Sequence, residues 1–243
     1  TSSDNITWTG TFTPSINIED TSNILTLANT YTDMRGNFGV TNSNNTTSYE
    51  IDTIAPTISS FVMSDTALKV GETSTVTIIF TEKVTGFTIS DITAQNGVIS
   101  NDLQTSDNGI TWTCTFTPTD DIEDTTNILE LSGTYTDVAG NTGVTNTSID
   151  NKTANYIIDT KESTVSSFVM NDTELKNGET SNVTLVFSEE VQNFNSNEDI
   201  TVLKGVLSMM SSTDNITWSG SFTPTNDMDS TTGKLILNDT YTD

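Results

Sequence analysis

A near-exact internal repeat constrains this chain more than any other feature. The string Asp4-Asn5-Ile6-Thr7-Trp8 returns as Asn108-Gly109-Ile110-Thr111-Trp112 and as Asp214-Asn215-Ile216-Thr217-Trp218. The tryptophans are 104 and then 106 residues apart. Phe-Thr-Pro follows each time, ending at Pro14, Pro118 and Pro224, and Tyr-Thr-Asp recurs from Tyr31, Tyr135 and Tyr241. Ile-Asp-Thr recurs from Ile51 and Ile158, and Phe-Val-Met from Phe61 and Phe168. A period near 106 is too long for a solenoid turn and suits one sandwich domain. The phase predicts the second half of a unit in residues 1–52, a complete unit in 53–159, and a unit short of its last strand in 160–243. Both ends are therefore expected to interrupt units.

Helix formers are scarce, while Thr, Ser, Asn and Asp dominate, which predicts an all-β chain. In Thr111-Trp112-Thr113-Cys114-Thr115-Phe116 threonine alternates with larger residues, as on a half-buried strand. The complete unit divides into seven short runs with turn signals between them. Strand A is expected near 57–63, B near 75–80, C near 87–94, D near 98–104, E at 110–116, F at 128–136 and G near 155–158. Val76, Ile78 and Phe80 share one face, as do Val183, Leu185 and Phe187. Leu129, Leu131 and Tyr135 are in phase on F. Seven such strands predict tandem immunoglobulin-like β-sandwiches, end to end, with each Trp and each Tyr of the repeat in a core.

Charge narrows the partners. Asp and Glu total 33 against 8 Lys and Arg, with no His, for a net charge of −25. That balance argues against nucleic acid and against insertion into an anionic membrane. The single Cys114 excludes an internal disulfide framework and is expected to be a small buried residue, in the position held by Gly10 and Gly220. With no His, no Ser-His-Asp set and no phosphate-cradling loop, the chain is not expected to be an enzyme.

Up-and-down alternation assigns the loops to poles. Asp52 in the linker, Glu82 at the end of B, Asp91 in early C, and Asp137 with Asn141 in the F–G loop are expected at the N-terminal pole. Asp159, Glu189, Asp199 and Asp243 repeat the pattern. The E–F loop, with Asp121, Glu123 and Asp124, is expected at the opposite pole, facing the next unit; the first unit has Glu19 and Asp20 there. Carboxylates, amides and carbonyls are the hard oxygen ligands that suit Ca²⁺, and a structural Ca²⁺ would relieve their repulsion and fix the angle between units. The alternative is that these acids are solvated and that Asp-x-x-Gly-Asn is only a turn.

Ile-Asp-Thr-Ile-Ala-Pro (51–56), Met-Ser-Asp-Thr-Ala-Leu-Lys-Val-Gly-Glu-Thr (63–73), Thr-Val-Thr-Ile-Ile-Phe-Thr-Glu-Lys-Val (75–84) and Thr-Asp-Val-Ala-Gly-Asn (136–141) resemble bacterial Ig-like repeats. Such repeats build the stalks of large secreted adhesins, including calcium-dependent ones of the RTX type. The resemblance implies an extracellular, cell-surface extender with calcium stiffening its junctions. Carried over by position, it implies ligands at Asp52, Glu82, Asp91 and Asp137, and again at Asp159, Glu189, Asp199 and Asp243. The second linker departs from the first, because Lys161 follows Asp159-Thr160 and the Ala-Pro is missing. The expected partners are neighbouring repeats of the same chain. Two alternatives remain: a surface filament that self-associates through open strand edges by strand complementation, or a glycan- or receptor-binding module.

Overall fold

The computed structural model describes residues 1–39, 45–132, 134–143, 151–227, 229, 232–238 and 241–242. It forms two compact units, Thr1–Thr160 and Lys161–Asp243. In the first unit the strands are β1 (Glu19–Asn23), β2 (Tyr49–Asp52), β3 (Ile58–Met63), β4 (Ala67–Lys69), β5 (Ser74–Phe80), β6 (Val84–Thr85), β7 (Ile92–Ala94), β8 (Gly97–Ile99), β9 (Gln104–Thr105), β10 (Thr111–Pro118), β11 (Glu123–Asn127), β12 (Leu129–Leu131), β13 (Thr136–Asp137) and β14 (Tyr156–Asp159). In the second they are β15 (Val165–Met170), β16 (Ser181–Phe187), β17 (Ile200–Leu203), β18 (Gly205–Leu207), β19 (Thr217–Pro224) and β20 (Lys234–Leu237), with a single helical turn, α1 (Ser196–Asp199), before β17. Among the described residues no helix is long and apolar enough to cross a membrane.

Residues 53–160 fold as an immunoglobulin-like sandwich. One sheet runs β3-β5-β10-β8, with β9 also on β10. The other layer is assembled from β11-β14-β4, β12-β7 and β13-β6. Alternation along β5 buries Val76, Ile78 and Phe80 and leaves Thr77 and Ile79 between them less covered. They meet Leu68, Cys114, Phe116, Leu129, Leu131, Tyr135, Tyr156 and Ile158 in one core. Burying a side chain of this size stabilises by roughly 1.5–3 kcal/mol, so this alternation decides which face of each strand turns inward. Lys161–Asp243 repeats the plan with the sheet β15-β16-β19-β18 and the pair β17-β20. Its core holds Val183, Leu185, Phe187 and Phe222.

Several expectations are corrected. The A–B loop contains β4, which pairs in parallel with β14 because Leu68 inserts into the core. The acidic E–F loop is half strand, since Glu123–Asn127 pairs antiparallel with β14. Strand C breaks into β6, a 3₁₀ turn at Ile89–Asp91, and β7. D breaks into β8 and β9, and F into β12 and β13. The repeated aromatics are not all core residues. Tyr135 is buried, whereas Trp112 is half-buried at the core's edge, its ring 5.4 Å from that of Phe87. Trp8 is 70 % exposed and Tyr31 48 %, because the described part of residues 1–52 forms only the two-stranded sheet β1-β2.

Candidate metal centre

Three of the expected acids converge. One carboxylate oxygen from each of Asp52, Glu82 and Asp137 lies within 4.8 Å of the others. Asp52 ends β2, Glu82 follows β5, and Asp137 ends β13, so three segments far apart in sequence supply one cluster. The Asp137 side chain is buried and aimed by its own turn. Its Oδ1 accepts from the backbone N–H of Gly140 and Asn141 at 2.6 and 2.8 Å, and its Oδ2 from Asn141 Nδ2 at 2.6 Å. Asn141 Nδ2 also donates to the Asp52 carbonyl at 3.1 Å, which ties this turn to the linker. Gly140 supplies the left-handed backbone, φ 97°, that closes the turn.

The turn by itself is no metal site. Asp33 makes the same turn in the first unit, accepting from Arg35 and Asn37, and among the described residues it joins no cluster of acids. What Asp137 adds is the company of Asp52 and Glu82. Burial raises the Glu82 carboxyl above its ordinary 4.5, and the charges of Asp52, Asp137 and Glu19 push it further the same way. Glu19 is the cross-strand neighbour of Asp52. Like charges placed directly opposite one another are destabilising. The donor set is all carboxylate oxygen, and this fits a hard divalent cation such as Ca²⁺ better than a soft one.

The remaining candidates are placed otherwise. Asp91 is buried and works as a cap: its Oδ2 accepts from Thr88 N–H at 2.8 Å, and its Oδ1 accepts from Ser132 and Thr134 hydroxyls. Asp199 accepts from Asn195 N–H at 2.6 Å in the corresponding turn of the second unit. Thr88-x-x-Asp91 has the spacing of a helix-capping box, the sequence signal that identifies this role. Asp124 accepts from Thr126 and from Asn96 Nδ2, and its carboxyl is held below the ordinary value chiefly by the Thr126 backbone. Asp121 occupies a left-handed turn position, φ 61°. Glu123 stands opposite Asp159 in the β11–β14 register, as Glu19 stands opposite Asp52. Asp159 Oδ1 is buried without a hydrogen-bond partner. Glu189 and Asp199 belong to the second unit, and Asp243 lies outside the described residues. Glu19, which the sequence placed only in an acidic loop, joins the electrostatics of the cluster through the strand pairing. Cys114 is buried, which pushes its thiol up to about 11 and leaves it protonated and unreactive at neutral pH.

Comparison with known proteins adds the following. The family model for a bacterial Ig-like domain matches residues 1–51, 52–154 and 159–243, nearly the whole chain. A solved structure of FdeC, an Escherichia coli adhesin, is similar at 12 % identity and a TM-score of 0.40, over 84 % of this chain and 70 % of that one. No curated protein matches the chain.

Proposed function

We propose, for a chain that belongs to the bacterial Ig-like domain family, the role of an extender segment in an adhesin-type protein at the cell surface. In this role a calcium ion held by Asp52, Glu82 and Asp137 stiffens the passage from residues 1–52 into the next repeat. Consecutive units of one family, each carrying the same framework, suit a part whose task is reach. An active site needs no tandem copies, whereas a stalk is made of them.

The observation that carries the calcium reading is the Asp52–Glu82–Asp137 cluster with its raised Glu82 carboxyl. Without a cation the cluster costs stability through repulsion and desolvation. With one, the linker residue Asp52 is bound to two segments of the sandwich at once, and its bending is restricted. The chain's own residues do the positioning: the Gly140-Asn141 turn fixes Asp137, and Asn141 holds the Asp52 backbone.

The test is thermal melting and small-angle scattering in calcium and in chelator. A site with a dissociation constant of ~10⁻⁴ M, in the range of extracellular modules, contributes about 2.7 kcal/mol at a hundredfold excess of calcium. For a chain of this size that is a rise in melting temperature of roughly 5–10 °C, with a longer particle. Identical melting and scattering in both buffers would overturn the proposal.

A further inference from the structure

Asn-Gly pairs occur at Asn96, Asn108 and Asn177. An asparagine followed by glycine is open to attack by the backbone nitrogen beside it, because glycine has no Cβ to shield that nitrogen. In sequence the three pairs look alike, and the fold separates them. Asn96 Nδ2 donates to Asp124 Oδ2 at 2.8 Å and to Asn127 Oδ1 at 2.7 Å, and the Asn96 carbonyl accepts from Thr119 N–H at 2.9 Å. Its Gly97 lies under the Phe116 ring, so close that a Cβ there would stand 2.2 Å from a ring carbon. Asn108 is exposed, but Gly109 is buried and its N–H donates to Thr105 Oγ1 at 2.7 Å. In both pairs the side chain or the attacking nitrogen is already engaged.

Asn177 and Gly178 are both exposed, and among the described residues neither the Asn177 amide nor Gly178 N–H makes a hydrogen bond. The turn around them is nevertheless held. Glu179 N–H donates to the Lys176 carbonyl at 3.1 Å, Lys176 N–H donates to Glu179 Oε2 at 2.9 Å, and Gly178 takes the left-handed φ of 82°. The exposure belongs to the turn itself. The complete repeat makes the same turn at Lys69–Glu72, where Glu72 N–H donates to the Lys69 carbonyl and Lys69 N–H to Glu72 Oε2, both at 3.1 Å, with Gly71 at φ 77°. There the position of Asn177 is held by Val70, which is 55 % exposed. One repeat thus carries the reactive pair, and the other carries an inert copy of its geometry.

We propose that Asn177 is a site of spontaneous deamidation in the folded protein. The Gly178 backbone nitrogen attacks Asn177 Cγ, a nitrogen–carbon bond forms, and the side-chain amide leaves as ammonia with the Gly178 proton. Water then opens the resulting five-membered succinimide. Opening at the main-chain carbonyl leaves isoaspartate, with the backbone running through the side chain, and opening at the former side-chain carbonyl leaves aspartate. Nothing is oxidised or reduced, and water is the one co-reactant. Either product places a carboxylate in the turn that Lys176 and Glu179 close with an ion pair of 3.8 Å. Ageing therefore adds a negative charge to the A–B turn of one repeat and not to that of its neighbour, which has Val70.

This inference is independent of the calcium site and is tested in chelator with the full 243-residue chain, aged at mildly alkaline pH below its first melting transition. Peptide mapping by mass spectrometry is expected to show a gain of one dalton first at Asn177. Conversion there runs roughly fivefold or more ahead of Asn108, the factor that one opened hydrogen bond supplies. Isoaspartyl methyltransferase labels the Asn177 peptide of the aged chain. In denaturant the three pairs convert at similar rates, since only the fold separates them. Asn177→Val, which copies Val70, removes the label and the mass gain from this peptide. Conversion of Asn96 or Asn108 ahead of Asn177 in the folded chain would overturn the proposal. So would an Asn177 that converts only in denaturant, which would show that the turn protects it.

Discussion

Glu82 and Asp91 are both acids of the same repeat, yet their environments give them opposite roles. Asp91 is saturated by Thr88, Ser132 and Thr134 and holds a 3₁₀ turn closed. Replacing it with Ala removes a cap worth about 1–2 kcal/mol, and melting is expected to fall by roughly 2–8 °C, equally in calcium and in chelator. Glu82 has repulsive neighbours, and its folded carboxyl sits above 4.5. The folded state therefore holds that proton more tightly than the unfolded state. This contribution to stability is present below pH 4.5 and is lost as pH rises through the folded value. At pH 7 in chelator, Glu82→Gln is expected to raise the melting temperature by about 1–3 °C, because the repulsion is partly screened by solvent. The same variant is expected to lose most of the calcium increment. A lower melting temperature in chelator would mean that Glu82 stabilises the apo fold, contrary to its electrostatics.

The elements legible in sequence are those whose burial alternates locally. β5 and β10 were readable because each presents a core residue at every second position, independent of the rest of the chain. β4 and β11 were not, since Ala-Leu-Lys and Glu-Asp-Thr-Thr-Asn carry almost no periodic signal. Both exist because β14, some 30–90 residues further on, pairs with them from either side. The same distinction applies to the candidate site. The repeat pointed to Asp52, Glu82 and Asp137, but only the strand register brings Glu19 beside Asp52. β11 is fastened by Asn127, a fully buried side chain that donates to the Asp124 and Tyr156 carbonyls and accepts from Asn96. Asn127→Ala takes this donor from the Tyr156 and Asp124 carbonyls, while Asn96 keeps its bond to Asp124, at a cost of about 1–3 kcal/mol per unsatisfied group. Hydrogen exchange is expected to accelerate in β11 and β14 while β5 and β10 stay protected. Uniform loss of protection would show that β11 is integral to the global fold and not a separately fastened edge.

Across the whole chain, two cores of unequal size share one polypeptide. Among the described residues the first unit buries 16 apolar side chains in its core and the second buries 9. Stability grows with apolar area removed from water, so the units are expected to melt separately, Lys161–Asp243 first. Ile78 and Leu185 occupy equivalent positions, both fully buried. Truncating either to Ala costs about 2–5 kcal/mol, so calorimetry of Leu185→Ala should lower only the first transition and Ile78→Ala only the second. The Asp52–Glu82–Asp137 cluster lies wholly within the first unit. Added calcium should therefore raise the upper transition and leave the lower one in place, and Glu82→Gln should cancel that rise. Calcium that moved only the lower transition would place the ion in the second repeat, and the stiffened joint would then not be the one that starts at Asp52.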